Sequence, residues 1–88
     1  MGIDGKFVFT RLLKQGAQGT DVACLQNFLK SKGYFIGTPT GLFGPYTEAS
    51  VASWQRSEGI VAEPWEYGRF GEQSRGVYAR NIDRKSVV

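Results

Sequence analysis

Between residues 20 and 32 the apolar positions recur at helical spacing. Val22, Leu25, Phe28 and Leu29 fall at i, i+3, i+6 and i+7, and Cys24 widens the same stripe. This pattern predicts a helix with one buried face. Thr20 or Gly19 stands where a cap is wanted, Asp21 meets the positive end of the helix dipole, and Lys30 and Lys32 meet the negative end. Gly33 then stops the helix as a left-handed residue past its last turn. A second helix is predicted over 45–58. Pro45 suits a first turn, Thr47, Val51 and Trp54 form the buried stripe, and Ala49, Ser50 and Ala52 let another helix come close. Gly59 ends it. The third helix, over 72–81, is weaker, because Gly76 costs it about 1 kcal/mol relative to alanine. Its core candidates are Val77 and Tyr78, with Ile82 beyond them.

Ahead of each helix stands a Gly-x-x-Gly tetrad: Gly16-Ala17-Gln18-Gly19, Gly41-Leu42-Phe43-Gly44 and Gly68-Arg69-Phe70-Gly71. The last two are near copies, followed three residues on by Thr47 or Ser74. A recurring turn that always opens a helix implies a repeated structural unit. The expected fold is all-α, a small three-helix bundle with glycine-turn repeats. It would occupy residues 11–82, between an extended arm over 1–10 that packs rings of Phe7-Val8-Phe9 on the body and a tail over 83–88.

With 88 residues the chain supports one domain and one modest core, with no deep cleft. At 14% aromatic with twelve glycines, that core is expected to be a few large rings held by tight loops. Phe28, Phe43, Trp54, Phe70 and Tyr78 lie at core spacing or within the tetrads. The single cysteine rules out an internal disulfide, and Cys24 on the buried stripe reads as a small packed hydrophobe. No apolar run is long enough to span a bilayer, and no signal peptide is recognisable at the start. The net charge of +3 is mild. Arg75, Arg80, Arg84 and Lys85 concentrate it near the C-terminus, where it would meet an anionic surface. Nucleic acid is disfavoured as a partner, since no reading helix or stacking strand is evident.

Catalysis is not expected. There is no histidine, which removes the commonest general base and zinc ligand, so neither a metal nor a cofactor is expected. The carboxylates are dispersed over helix ends and loops. Glu63 and Glu66 flank Trp65, but a short loop offers no dry cleft for a glycosidase-type pair. Gln26 and Gln55 each follow a core residue, and their amides are expected to hold the glycine loops in shape. Thr47 and Ser74 are expected to tie each loop to its helix.

The stretch Leu13-Lys14-Gln15-Gly16-Ala17-Gln18-Gly19-Thr20-Asp21-Val22, followed by Leu25-Gln26, Leu29 and Gly33-Tyr34, resembles the first half of a peptidoglycan-binding-like domain. The run from Gly41-Leu42-Phe43-Gly44-Pro45-Tyr46-Thr47 through Trp54-Gln55 and Gly59-Ile60 is similar to its second half. The resemblance covers roughly residues 11–80. It implies a three-helix bundle that serves as a non-catalytic module targeting cell-wall peptidoglycan, in which case a cell-envelope or extracellular location is expected. Two departures stand out. The loop over 60–67 is longer than the family's usual turn, and Arg75-Gly76 replaces better helix formers. The alternative is a structural or protein-interaction subunit that keeps the fold without the glycan site. Loop rings and a nearby cation supply the candidate ligand contacts: Tyr34, Phe35, Tyr46, Trp65, Tyr67 and Arg69, with Lys14 a further cation for peptide carboxylates.

Overall fold

The computed structural model describes residues 9–60 and 66–87, with side chains through Arg80. Phe7, Val8, Glu63 and Trp65 therefore lie outside the described residues, as does the side chain of Ile82. Three helices follow one another: α1 (Thr20–Ser31), α2 (Pro45–Ser57) and α3 (Glu72–Val87). No strand occurs among the described residues, and two isolated antiparallel bridges are the only extended pairings there. The all-α bundle expected from the periodicity is what forms.

Each helix begins on the residue after its tetrad. Gly19 and Gly44 occupy the N-cap positions of α1 and α2, with no side-chain cap bond. The backbone N–H of Ala23, Glu48 and Arg75 donates to the carbonyl of Gly19, Gly44 and Gly71, closing the first turn in all three cases. Gly33, at φ 88°, follows α1 as expected, and Tyr34 N–H reaches back to Leu29 O at 2.9 Å. The first two helices end one residue before the expected boundary. α3 instead runs past Asn81 to Val87. Residues 81–87 contain neither glycine nor proline, and a nucleated helix propagates through any residues that tolerate it.

The core is a ring cluster. Phe28 on α1 meets Trp54 on α2 edge-on at 5.5 Å and Tyr78 on α3 at 4.8 Å, so one side chain joins all three helices. Phe9 from the N-terminal segment packs on Phe70 and Tyr78 at 4.8 and 5.0 Å, the ring contact foreseen for the arm. Leu13, Val22, Leu25, Leu29, Phe43 and Val51 fill the remaining space.

All three tetrads gather at one end of the bundle. Gly16 N–H donates to Phe43 O, Phe43 N–H to Ala17 O and Gly19 N–H to Gly41 O, which sews the first tetrad to the second. Leu13 exchanges two backbone hydrogen bonds with Phe70, at 3.1 and 2.8 Å, so the segment before the first tetrad pairs with the third. The requirement for glycine is tightest at Gly68. Its φ is +89°, and a Cβ there would lie 2.6 Å from Glu48 Cγ and 3.3 Å from Glu48 O on α2. Only hydrogen fits where that loop crosses the helix.

Arg11 fastens the outside of the same end. Its Nε donates to Asp21 Oδ2 at 2.8 Å, and its Nη2 donates to Asp21 Oδ1 at 3.1 Å and to Gln18 O at 2.7 Å. This fork holds the Asp21 carboxyl below the ordinary value of 3.8, with burial opposing and the Val22 N–H adding to it. A depressed carboxyl contributes stability that is present above the unfolded pKa and is lost as pH falls through the folded one. The stability difference between the wild type and Asp21→Asn is therefore expected to hold constant above about pH 4 and to shrink below it. Urea midpoints at pH 7 and pH 3 check this. Because the pair is half-exposed, the difference is expected to be small and to weaken with salt.

Candidate functional site

The two glutamines organise the loop end. Gln26 Oε1 accepts from the backbone N–H of Thr40 and of Gly41, each at 2.9 Å. Its Nε2 donates to Leu42 O at 3.0 Å and to Thr47 Oγ1 at 2.9 Å. Gln55 repeats the device on the third tetrad. Its Oε1 accepts from Gly68 N–H at 2.8 Å, and its Nε2 donates to Arg69 O at 2.8 Å and Ser74 Oγ at 2.9 Å. Both amides are buried, and a buried amide must be satisfied at both ends. The glycine loops therefore take the one shape that satisfies it. Gln26 and Gln55 are shape-holding residues, as the sequence indicated, and Thr47 and Ser74 are the helix-side anchors.

Apart from the hydroxyls of Thr47 and Ser74, the clamps grip main chain, which leaves the side chain at each main-chain contact free to differ. Leu42 in the second tetrad and Arg69 in the third occupy equivalent places, one apolar and one cationic. Around Arg69 lies a cavity of about 320 Å³. Leu12 and Ile60 form its apolar wall, Glu66, Arg69 and Glu72 supply charge, and Ser74 borders it from below. A second, shallower groove runs between the first two tetrads, where Gln18, Thr20, Thr40 and Leu42 line it. Its polar side chains are all uncharged.

Five of the six expected contact residues are described. Phe35 is a correction: at 6% exposure it is a core ring, tilted against Tyr46 at 5.2 Å. Tyr34 is half-buried against the core. Tyr46 is 51% exposed, and its hydroxyl accepts from Ile36 N–H at 3.2 Å. Tyr67 is half-buried, donates to Ile60 O at 2.9 Å and lies under Arg56 at 5.3 Å, so its ring and hydroxyl both have structural partners. Trp65 falls outside the described residues. Of the five that are described, Arg69 alone lines the cavity. Sequence reasoning missed Leu12, Ile60 and Glu72 as lining residues. Their only signal was proximity to a tetrad, and chain folding, not spacing, brings Leu12 to the third one. Lys14 is exposed and does not line either cavity.

Cys24 packs against the core, and burial pushes its thiol above the ordinary 9.0, with the Asp21 charge adding to it. It remains a protonated, packed side chain at neutral pH. Among the described residues, no helix is long and apolar enough to cross a membrane.

Comparison with known proteins agrees with this geometry. Residues 18–63, just over half of the chain, match the family model described as "Putative peptidoglycan binding domain". Among solved structures, the crystal structure of the SleB N-terminal domain matches with a TM-score of 0.71 and 26% identity, over 82% of this chain and 93% of that one. The family match begins within the first tetrad, at Gln18, and spans the second tetrad and the Gln26 clamp. Arg69 and Glu72 lie beyond its last residue.

Proposed function

Because the chain belongs to the peptidoglycan-binding domain family, we propose that it is a non-catalytic module that attaches reversibly to bacterial cell-wall peptidoglycan. The family match across the glycine loop clamped by Gln26 carries this reading, and the three-helix frame shared with the SleB N-terminal domain supports it. The absence of histidine from the sequence favours binding over hydrolysis. So does the exposure of Glu72 at the cavity, since acid catalysis on a glycan requires one carboxyl in a dry site. Weak attachment of this kind concentrates whatever is covalently or non-covalently joined to the module on its polymer.

Cosedimentation of the full chain with insoluble, purified sacculi tests the proposal. Saturable depletion from the supernatant is the expected result, and retention no greater than on inert particles would reject it. A protein-interaction role is favoured by one observation, the adjacent exposure of Ile36 (77%) and Tyr46. Size-exclusion chromatography bears on that second reading, for which a self-associated chain would be expected.

A further inference from the structure

We infer that the cavity beside the third tetrad is the ligand seat and that it reads the peptide portion of peptidoglycan, a short chain bearing carboxylate and ammonium groups. The inference rests on the cell-wall reading above and names which part of the polymer this site takes. At about 320 Å³ the cavity lies at the small end of ligand pockets.

Its chemistry is charged on both signs. The side chains of Arg69 and Glu72 have no hydrogen-bond or ion-pair partner among the described residues, whereas Arg11 and Asp21 neutralise each other. An unpaired guanidinium presents a fork that fits a carboxylate, and an unpaired carboxylate fits an ammonium. A glycan strand stripped of its peptides offers Arg69 only the carboxylate of its lactyl ethers and offers Glu72 no ammonium. Ser74, 3% exposed, borders the cavity; its Oγ accepts from Gln55. Its own hydrogen finds no acceptor among the described residues, so a buried hydroxyl stands ready to donate to a ligand carbonyl. Leu12 and Ile60 supply an apolar wall for a small side chain such as a methyl group.

The contrast within the molecule sharpens the assignment. Sugar faces are commonly met by flat aromatic rings, and no ring is among the described residues that line this cavity. The exposed ring of Tyr46 lies on α2 and does not line this cavity. The groove between the first two tetrads, by contrast, carries only uncharged polar groups. At the clamped position itself the second tetrad presents Leu42 and the third presents Arg69, so only one of the two clamps carries a charge there.

The test titrates the full chain against three probes: intact sacculi, glycan strands stripped of peptides by an amidase, and free stem peptide as competitor. Binding to intact sacculi, clearly weaker binding to stripped strands and displacement by free peptide are expected. Arg69→Gln and Glu72→Gln are each expected to weaken binding to sacculi about three- to tenfold. Lys30→Gln, a charge-matched change on the exposed end of α1, leaves it unaltered. Circular dichroism of each variant shows that the fold is retained, as expected for exposed side chains. Stripped strands bound as well as intact sacculi, or both cavity variants binding like wild type, would overturn the inference and leave the cell-wall reading standing. No binding to sacculi or to free peptide would overturn both.

Discussion

Gln26→Leu is expected to lower the unfolding free energy by about 2–4 kcal/mol, a large share of the ~4–13 kcal/mol expected for a domain of this length. Leucine nearly matches the shape of the glutamine side chain, so packing is little disturbed. What disappears is one amide that satisfies the Thr40 and Gly41 N–H groups, the Leu42 carbonyl and the Thr47 hydroxyl. Thr47 is fully buried and finds no water in exchange, whereas Thr40 and Leu42 are exposed, which holds the loss to the lower part of a four-bond sum. Urea denaturation followed by tryptophan fluorescence should show a lower midpoint with an unchanged slope. Gln26→Glu separates the two ends of the amide. It retains the acceptor for the loop N–H groups but sets a carboxylate against the Leu42 carbonyl, so its deficit should diminish as pH falls and the side chain protonates. A loss below about 0.5 kcal/mol for the leucine variant would show that water replaces the clamp.

Trp54→Ala is expected to be at least as damaging, about 3–5 kcal/mol. Trp54 is 0% exposed, lies edge-on to Phe28 and is tilted against Phe70 at 5.9 Å. Its removal opens a cavity where α1, α2 and the third tetrad meet. One detail qualifies the indole: its Nε1 is buried without a hydrogen-bond partner among the described residues, and an unsatisfied buried N–H is destabilising by about 1–3 kcal/mol. Trp54→Phe discards that penalty together with part of the ring, and the two changes offset. The phenylalanine variant is therefore expected to unfold within about 1 kcal/mol of wild type. Thermal unfolding followed by circular dichroism distinguishes the cases, and a phenylalanine variant as unstable as the alanine one would mean that the indole N–H is satisfied in solution.

The helices and their starts were legible in the chain because they depend on local spacing. Val22, Leu25 and Phe28 announce a face, and Gly44-Pro45 announces a beginning. Gln26 and Gln55 were legible too, since a polar residue set into an apolar stripe must find partners nearby. Leu13 and Ile60 were not foreseen as fully packed positions. Leu13 gains its burial by pairing with Phe70, far along the chain, and no local pattern encodes such a partner. Phe35 misled for the mirror-image reason. A ring on a loop reads as exposed, yet this loop folds back on the bundle and covers it.

What the residues alone determined is the repeat: two glutamine clamps, three glycine turns and three amphipathic helices, all consequences of short-range geometry and of the need to satisfy buried amides. What the tertiary structure decided is which turn became a candidate site. Bringing Leu12 beside Ile60, Arg69 and Glu72 requires the chain to return on itself. Only that return leaves two opposite charges unpaired at the edge of a cavity, because whether a charge finds a partner depends on distance through space and not along the sequence.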